Sequence, residues 1–446
     1  VKLTIIGGGG FRVPQVFEAV SADNAPVRID ELALFDVSES RLSTIKTIID
    51  RLAADTKFAP RVTVTQDLRK ALAGADFVFS AVRIGGTAGR IIDERTALDL
   101  GVLGQETVGP GGLAYALRTI PFMVSLAETI RDVAPDAWVI NFTNPAGMVT
   151  EAMRAVLGDR VVGICDTPIG LMRRAVAAVT DSTQTPAADL RFDYVGLNHL
   201  GWLRSVTVGG EDLMPRLLSS DDALGDIEEA RLMGFDWVRS LGALPNEYLY
   251  YYYFTREATD RIRSAPTTRG EFLDQQQGDF FAKPGSDPLA SWLRTRHERE
   301  SSYMAESRSE EEERQESDVD GGGYQTVALD LMAALATGRS STMILNVRNN
   351  GLVPALPEDA VVEVGCTVDA DGVHPWPIAP VNGEMLGLMT QVKAAERLVI
   401  SAALEGSKEL AWRAFAAHPL VDSVTVARSL VDTYSQKFES IGRLLR

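Results

Sequence analysis

The sequence predicts an α/β protein: an N-terminal, Rossmann-like doubly wound sheet followed by a mixed α+β region. Three observations lead there. Short apolar runs alternate with helical patterns over the first 165 residues. The first run ends in Gly7-Gly8-Gly9-Gly10 and opens a helix. After Cys165 the alternation breaks. Regular βα alternation is the pattern of a parallel sheet covered by helices.

Taken in order, Lys2–Ile6 reads as a buried strand, followed by the glycine run, Phe11, Arg12 and a helix through Ala19. Strand, glycine turn and helix form the context of a dinucleotide turn, where the backbone approaches a pyrophosphate at a helix N-terminus. The last glycine of the strict fingerprint is missing, and a plain flexible turn is the alternative. The second strand, Glu31–Phe35, ends at Asp36. A carboxylate there holds ribose hydroxyls in NAD-type sites, or else caps the next helix. Helix 41–54, strand 61–65, helix 68–73 and strand 75–81 continue the series. Residues 83–112 read as a long glycine-rich polar loop carrying Arg83, Arg90, Arg95 and Glu106. Strand 137–142, helix 146–156 and strand 161–164 complete six strands.

Beyond residue 165 the expected elements are a helix 169–180, a Thr/Pro/Ala-rich loop to 188 and a strand 190–197. A hairpin follows at Gly209-Gly210. The segment 244–254 holds five tyrosines in six positions, with Tyr248, Tyr251 and Tyr252 on one helical face. A charged helix from 294 runs into a solvated, mobile loop near 298–323. A helix 324–336, strands 340–353 and 360–368, and closing helices 385–403 and 408–415 end the chain. Residues 1–165 therefore read as a nucleotide-binding domain, and 166–446 as a second, α+β domain for substrate, metal and subunit contacts.

The 446 residues suffice for two or three domains, with 45% apolar and 24% charged side chains in ordinary globular balance. A formal charge of −17 argues against nucleic acid as partner, while local arginines still suit an anionic substrate. Two distant cysteines give no disulfide framework and fit a reducing cytoplasm. No apolar run reaches the roughly 18 residues of a membrane span, and the opening strand does not look like a signal peptide.

Cys165 and His199 each stand at a predicted strand end. Thiolate plus imidazole suits a divalent transition metal, and two ligands leave positions for water and substrate. His297, His374 and His418 read as surface, loop or packing residues. Arg90, Arg95 and Arg269 are candidate phosphate clamps, or surface ion pairs. A tyrosine of the cluster serves as a base if a cation lowers its pKa; otherwise it packs.

Together these motifs resemble glycoside hydrolase family 4, the NAD- and metal-dependent glycosidases. The resemblance rests on I-I-G-G-G-G-F-R-V-P, R-I-I-D-E-R with G-Q-E-T-V-G-P-G-G, N-F-T-N-P, G-I-C-D-T-P, G-L-N-H-L-G-W, and L-P-N-E-Y-L with T-T-R-G-E, in that order. It implies NAD held by Gly7, Gly8, Gly9, Gly10, Phe11, Arg12, Asp36 and Arg83. Cys165 and His199 match the ligands of Mn2+ or another divalent metal, with Glu106 supporting its water shell. Asn144, Arg90 and Arg269 match substrate-binding residues, Arg269 near the 6-phosphate. Tyr248 matches the base, with Tyr250, Tyr251 and Tyr252 as alternatives. The implied chemistry is oxidation at C3 by NAD+, removal of the C2 proton, expulsion of the C1 group, addition of water and return of hydride. The implied substrates are 6-phospho-β-glucosides such as cellobiose 6-phosphate, and the implied assembly is a homodimer or homotetramer. Asp166 is a candidate acid for the leaving group and leans towards the α anomer; its other reading is a helix N-cap. Two competing functions are an NAD-dependent 2-hydroxy-acid dehydrogenase and a non-catalytic NAD-responsive binding protein.

Overall fold

A computed structural model describes residues 1–180, 190–304 and 323–445. The predicted loop to 188 and most of the predicted mobile loop lie outside the described residues. Thirteen strands form one sheet. They are β1 Lys2–Ile6, β2 Glu31–Phe35, β3 Arg61–Thr65, β4 Phe77–Ser80, β5 Trp138–Asn141, β6 Val161–Gly163, β7 Leu190–Leu197, β8 Leu200–Val208, β9 Glu211–Asp212, β10 Leu244–Pro245, β11 Ser341–Arg348, β12 Val361–Asp369 and β13 Gly372–Pro375. The order is β3-β2-β1-β4-β5-β6-β11-β12-β7-β8-β10, with β13 on β12 and β9 on β8. The first six strands pair in parallel. Their order reverses between β1 and β4, the switch point where ligands bind in doubly wound sheets. The remaining strands continue antiparallel, so the sheet crosses residue 165 without a break.

One register pair, Asn346 opposite Gly163, makes the junction between β6 and β11. It lies within a lateral row that runs through Phe35, Ile6, Ser80, Asn141, Gly163, Asn346, Glu363, Gly196 and Gly201. Asp36, Gly7, Asn144, Cys165 and His199 each follow a member of that row by one to three residues.

The parallel strands are buried, except the half-exposed edge strand β3. Helices cover both faces: α1 Val13–Ser21, α2 Glu39–Ala54, α3 Leu68–Leu72, α4 Gly86–Asp99, α5 Gly109–Val133, α6 Ala146–Leu157 and α7 Thr167–Val179. α4 and α5 correct the expected loop over 83–112. The helical repeat of α4 is disguised because its buried face carries charge. Arg118 of α5 grips Asp93 with two bonds of 2.8 and 2.5 Å, and Arg90 pairs with Glu94 at 2.6 Å. Paired charges replace the apolar stripe that marks an amphipathic helix. α5 is long and apolar enough to cross a bilayer by length and composition, and 67% of that stretch is buried within the fold.

Further corrections follow from local chemistry. The strand expected to 353 stops at Arg348, because the Asn349 amide turns the chain with bonds to the carbonyls of Val353, Leu356 and Pro357. His374 lies in β13, not a loop. Two more helices, Val424–Lys437 and Glu439–Leu444, follow the expected end. The first of them sends the Tyr434 hydroxyl to the Asp93 carbonyl at 2.8 Å.

His418, which follows the helix Lys408–Ala417, is buried. Its Nδ1 accepts a hydrogen bond from the Leu420 amide at 3.2 Å, and burial pushes its pKa down to about 3. A folded pKa below the ordinary 6.5 makes the stabilisation complete above that value and lost progressively as pH falls towards 3. His418→Asn should keep a short acceptor and flatten the dependence of unfolding free energy on pH between 6 and 4, by about 1.4 kcal/mol per pH unit. Denaturant unfolding across that range checks this; an unchanged slope contradicts it.

Candidate active site

A cavity of about 810 Å³ opens at the carboxyl ends of the parallel strands. Gly7, Gly10, Phe11, Arg12, Asp36, Arg83, Arg90, Asn144, Cys165, Asp166, His199, Tyr248 and Arg269 all line it. Gly8 and Gly9 do not; they lie beneath the turn. A Cβ on Gly8 would meet the Leu34 backbone at 2.8 Å, and one on Gly9 the Asp36 carboxylate at 3.0 Å. These glycines let the turn press onto β2, a requirement of packing before any ligand arrives.

At this end Asp36 accepts from the Gly9 amide at 3.0 Å and the Ser38 amide at 2.9 Å. The helix-cap reading of Asp36 is wrong, because Ser38 caps α2. α1 begins at Arg12 without a side-chain cap, so its N-terminus is available to an anion. Phe11 is a wedge: its ring meets Phe280 edge-on at 5.3 Å, and its carbonyl accepts from Trp292 Nε1 at 2.8 Å.

A cationic wall faces this turn. Arg269 donates to Ser302 Oγ at 2.7 Å and the Arg299 carbonyl at 2.9 Å. Arg299 is pushed well below its ordinary pKa, first by burial and then by the charges of Arg12 and Arg269. Among the described residues its Nε is buried without a hydrogen-bond partner, as is the Nε of Arg12. Arg12 reaches Glu300 at 3.4 Å. Among the described residues Arg299 makes no salt bridge, and Glu300, which Arg12 meets, is its acidic neighbour in this wall. Arg90 binds Glu94 and Glu106, both at 2.6 Å, and Arg83 also pairs with Glu106. Glu94 in turn accepts from the Gly270 amide at 2.8 Å, tying α4 to the helix that Arg269 opens. Arg95 does not line the cavity and grips Glu271, which completes the capping box of that helix; its clamp reading is wrong and its ion-pair reading holds.

Cys165 and His199 line the same cavity. His199 occupies the turn between β7 and β8 with φ +63°. Burial pushes its pKa down to about 3, leaving a neutral imidazole able to donate a lone pair. Burial raises the Cys165 thiol, with Glu363 and Asp166 adding to the effect. A thiol there ionises only beside a cation. No group of three or more His, Cys, Asp or Glu gathers among the described residues. Asn144 Oδ1 is buried without a partner among the described residues. Two soft donors and an unspent amide oxygen fit an open divalent metal site shared with a ligand. Asp166 stands at the start of α7 but makes no side-chain cap bond. Asp166 thus holds the N-cap position without the capping bond, and it lines the cavity.

The tyrosines do not form one helical stripe. A 3₁₀ turn, Glu247–Leu249, precedes a single α turn, Tyr250–Tyr253, and splays them. Tyr253 accepts from Trp202 Nε1 at 2.9 Å, Tyr252 lies 6.2 Å from the His418 ring, and only Tyr248 and Tyr251 line the cavity. Tyr248 stacks on His199 with ring centroids 3.7 Å apart. Its hydroxyl meets that of Tyr303 at 2.9 Å, and Tyr303 donates to Glu247 at 2.7 Å. Arg299 and Tyr303 are residues the sequence reading missed, having assigned them to a solvated run. Arg296, Arg299 and Tyr303 recur at helical spacing and all line the cavity, a signal present in the sequence.

Comparison with known proteins matches residues 2–181 to the family described as Family 4 glycosyl hydrolase, and residues 194–421 to its C-terminal domain. The chain is 30% identical to 6-phospho-beta-glucosidase BglT of Thermotoga maritima, over 97% of each chain. It is 29% identical to the maltose-6'-phosphate glucosidase of Bacillus subtilis, over 97% of this chain and 94% of that one. Among solved structures, the Thermotoga maritima 6-phospho-beta glucosidase with manganese, NAD+ and glucose-6-phosphate superposes with a TM-score of 0.81, at 28% identity over 98% of both chains.

Burial, then the neighbouring Glu247, drives the Tyr248 phenol up from its ordinary pKa of 10.0. In the protein without added metal, Tyr248 should stay protonated well beyond that value. Ultraviolet titration of wild type against Tyr248→Phe should show no phenolate difference below about pH 11. A difference appearing near pH 10 contradicts this.

Proposed function

We propose that this chain, which belongs to family 4 of the glycosyl hydrolases, hydrolyses 6-phospho-β-glucosides with NAD and a divalent metal as cofactors. Residues 1–165 would hold the dinucleotide, and 166–446 the metal, the sugar and the contacts of a homodimer or homotetramer. The observation that carries the reading is the wall of Arg12, Arg269 and Arg299, which gathers three half-buried guanidinium groups beside a sugar-sized cavity. These guanidinium groups would hold a dianionic phosphate through bonds stronger than those of a neutral hydroxyl. Both relatives named above act on phosphorylated glucosides.

The remaining roles follow from position in the cavity. Asp36 would hold the ribose hydroxyls, beside the turn of Gly7 to Gly10, with Arg83 closing that end. Cys165 and His199 would hold the metal, and Asn144 would offer its unspent oxygen to a sugar hydroxyl. When bound, the dinucleotide supplies reversible oxidation at C3 of the sugar, and the metal polarises the oxygen there. Tyr248 takes the C2 proton at its phenolic oxygen as the phenolate, a charge that burial opposes and that a cation sharing the site would offset. Tyr303 and Glu247 orient that oxygen. Asp166 protonates the departing oxygen at C1. Arg90 braces Glu106 and the sugar side of α4. The uncommitted carboxylate of Asp166 is also the observation that favours the α anomer as second reading.

The test offers both anomers of 4-nitrophenyl 6-phosphoglucoside with and without NAD+ and Mn2+. The β anomer should be hydrolysed, and omitting either cofactor should abolish turnover. Preference for the α anomer would overturn the anomer assignment, and full activity without either cofactor would overturn the chemistry. Arg299→Met should raise KM for the phosphorylated substrate about 10- to 100-fold and leave the Kd for NAD unchanged.

A further inference from the structure

Beneath the two candidate metal donors lies a buried polar cluster that the proposed chemistry does not use. Glu363 of β12 is 1% exposed and has no cationic partner among the described residues. Its Oε1 accepts from Asn346 Nδ2 at 2.8 Å and from Asn198 Nδ2 at 3.5 Å, and its Oε2 accepts from the Tyr194 hydroxyl at 3.1 Å. These partners come from different strands. Asn346 is the β11 residue opposite Gly163, two residues before Cys165. Asn198 immediately precedes His199 in the turn. Tyr194 lies on β7, and its phenol crosses Gly201 so closely that a Cβ there would meet it at 2.4 Å.

A carboxylate in mid-sheet is expensive to bury and is retained only where its acceptors have work to do. Here each bond ties one strand to another. Asn346 fixes the end of β6 that releases Cys165, and Asn198 fixes the turn that presents His199 at an unusual φ of +63°. The β6–β11 junction has a single register pair, so the backbone ladder gives little help in holding the two donors at a set separation.

We propose that Glu363 is a positioning residue that sets the spacing of Cys165 and His199 through Asn346 and Asn198, and thereby sets the affinity for the divalent metal. The inference rests on the reading of Cys165 and His199 as metal donors. It assigns the work to the hydrogen bonds on Oε1, with the Tyr194 bond on Oε2 holding the carboxyl group in place for them; a glutamine carbonyl reproduces the bonds on Oε1, and an apolar side chain of similar volume does not.

The test measures Mn2+ binding by the electron paramagnetic resonance of free Mn2+ for wild type, Glu363→Leu, Glu363→Gln and Tyr194→Phe, with NAD affinity by calorimetry on the same samples. Glu363→Leu should weaken Mn2+ binding about 10- to 100-fold, the usual cost of losing an outer-sphere partner, with NAD affinity unchanged. Glu363→Gln should restore Mn2+ affinity to within about threefold of wild type. Should Glu363→Leu fail to fold, Tyr194→Phe, which frees one side of the carboxylate, should weaken Mn2+ binding by several-fold. Wild-type affinity in folded Glu363→Leu, or in Tyr194→Phe where the leucine variant does not fold, overturns the proposal. Equal weakening in the leucine and glutamine variants also overturns it, since charge rather than positioning would then be responsible. Failure of wild type itself to bind Mn2+ would instead overturn the metal-site reading on which it rests.

Discussion

A single register pair, Asn346 against Gly163, joins the parallel and antiparallel halves of the sheet, and the site depends on it. β11 and β12 match over eight residues, as do β7 and β8, and β12 meets β7 over two. The junction has one. Through it, Cys165 from the first half and His199 from the second are brought to one cavity. The lateral row that includes this pair also explains why loops far apart in sequence meet. Each leaves its strand within a few residues of the same row, so their first side chains share one rim.

The cavity is unevenly charged. On one side, Arg12, Arg269 and Arg299 gather half-buried positive charge, and desolvation, then the charges of Arg12 and Arg269, depress the Arg299 guanidinium. On the other side, Cys165, Tyr248 and Tyr303 are all raised by burial, and acidic neighbours reinforce that. The first side is complemented by an anion and the second by a cation. The proposed phosphorylated sugar beside a divalent metal would supply both at once. That pairing connects the electrostatics to family membership without relying on the fold, since doubly wound sheets host many unrelated chemistries.

Much of this was legible in the sequence because it is local. The six parallel strands, the glycine turn, Asp36 and the motif around Cys165 are runs of adjacent residues. Their apolar patterns and turn residues carry the information directly. α4 was hidden for a physical reason: its inward face is charged, and those charges find partners only in three dimensions, such as Arg118 for Asp93. The same applies to Arg299 and Tyr303, whose charged stretch resembles a solvated helix until it packs against the glycine turn. The cap readings of Asp36 and Asp166 could be decided only by geometry, since Ser38 takes the first role and α7 begins with no side-chain cap. Glu363 gave no sequence signal, because a single carboxylate in an apolar strand does not reveal which donors will surround it.

The central claim is that this cavity removes a proton from C2 of the sugar during hydrolysis. The most direct measurement follows a 6-phospho-β-glucoside deuterated at C2 through turnover with NAD+ and Mn2+ present. Slower turnover of the deuterated sugar, with solvent hydrogen found at C2 of the product, is the predicted result. Turnover at an unchanged rate with deuterium fully retained at C2 would contradict the account.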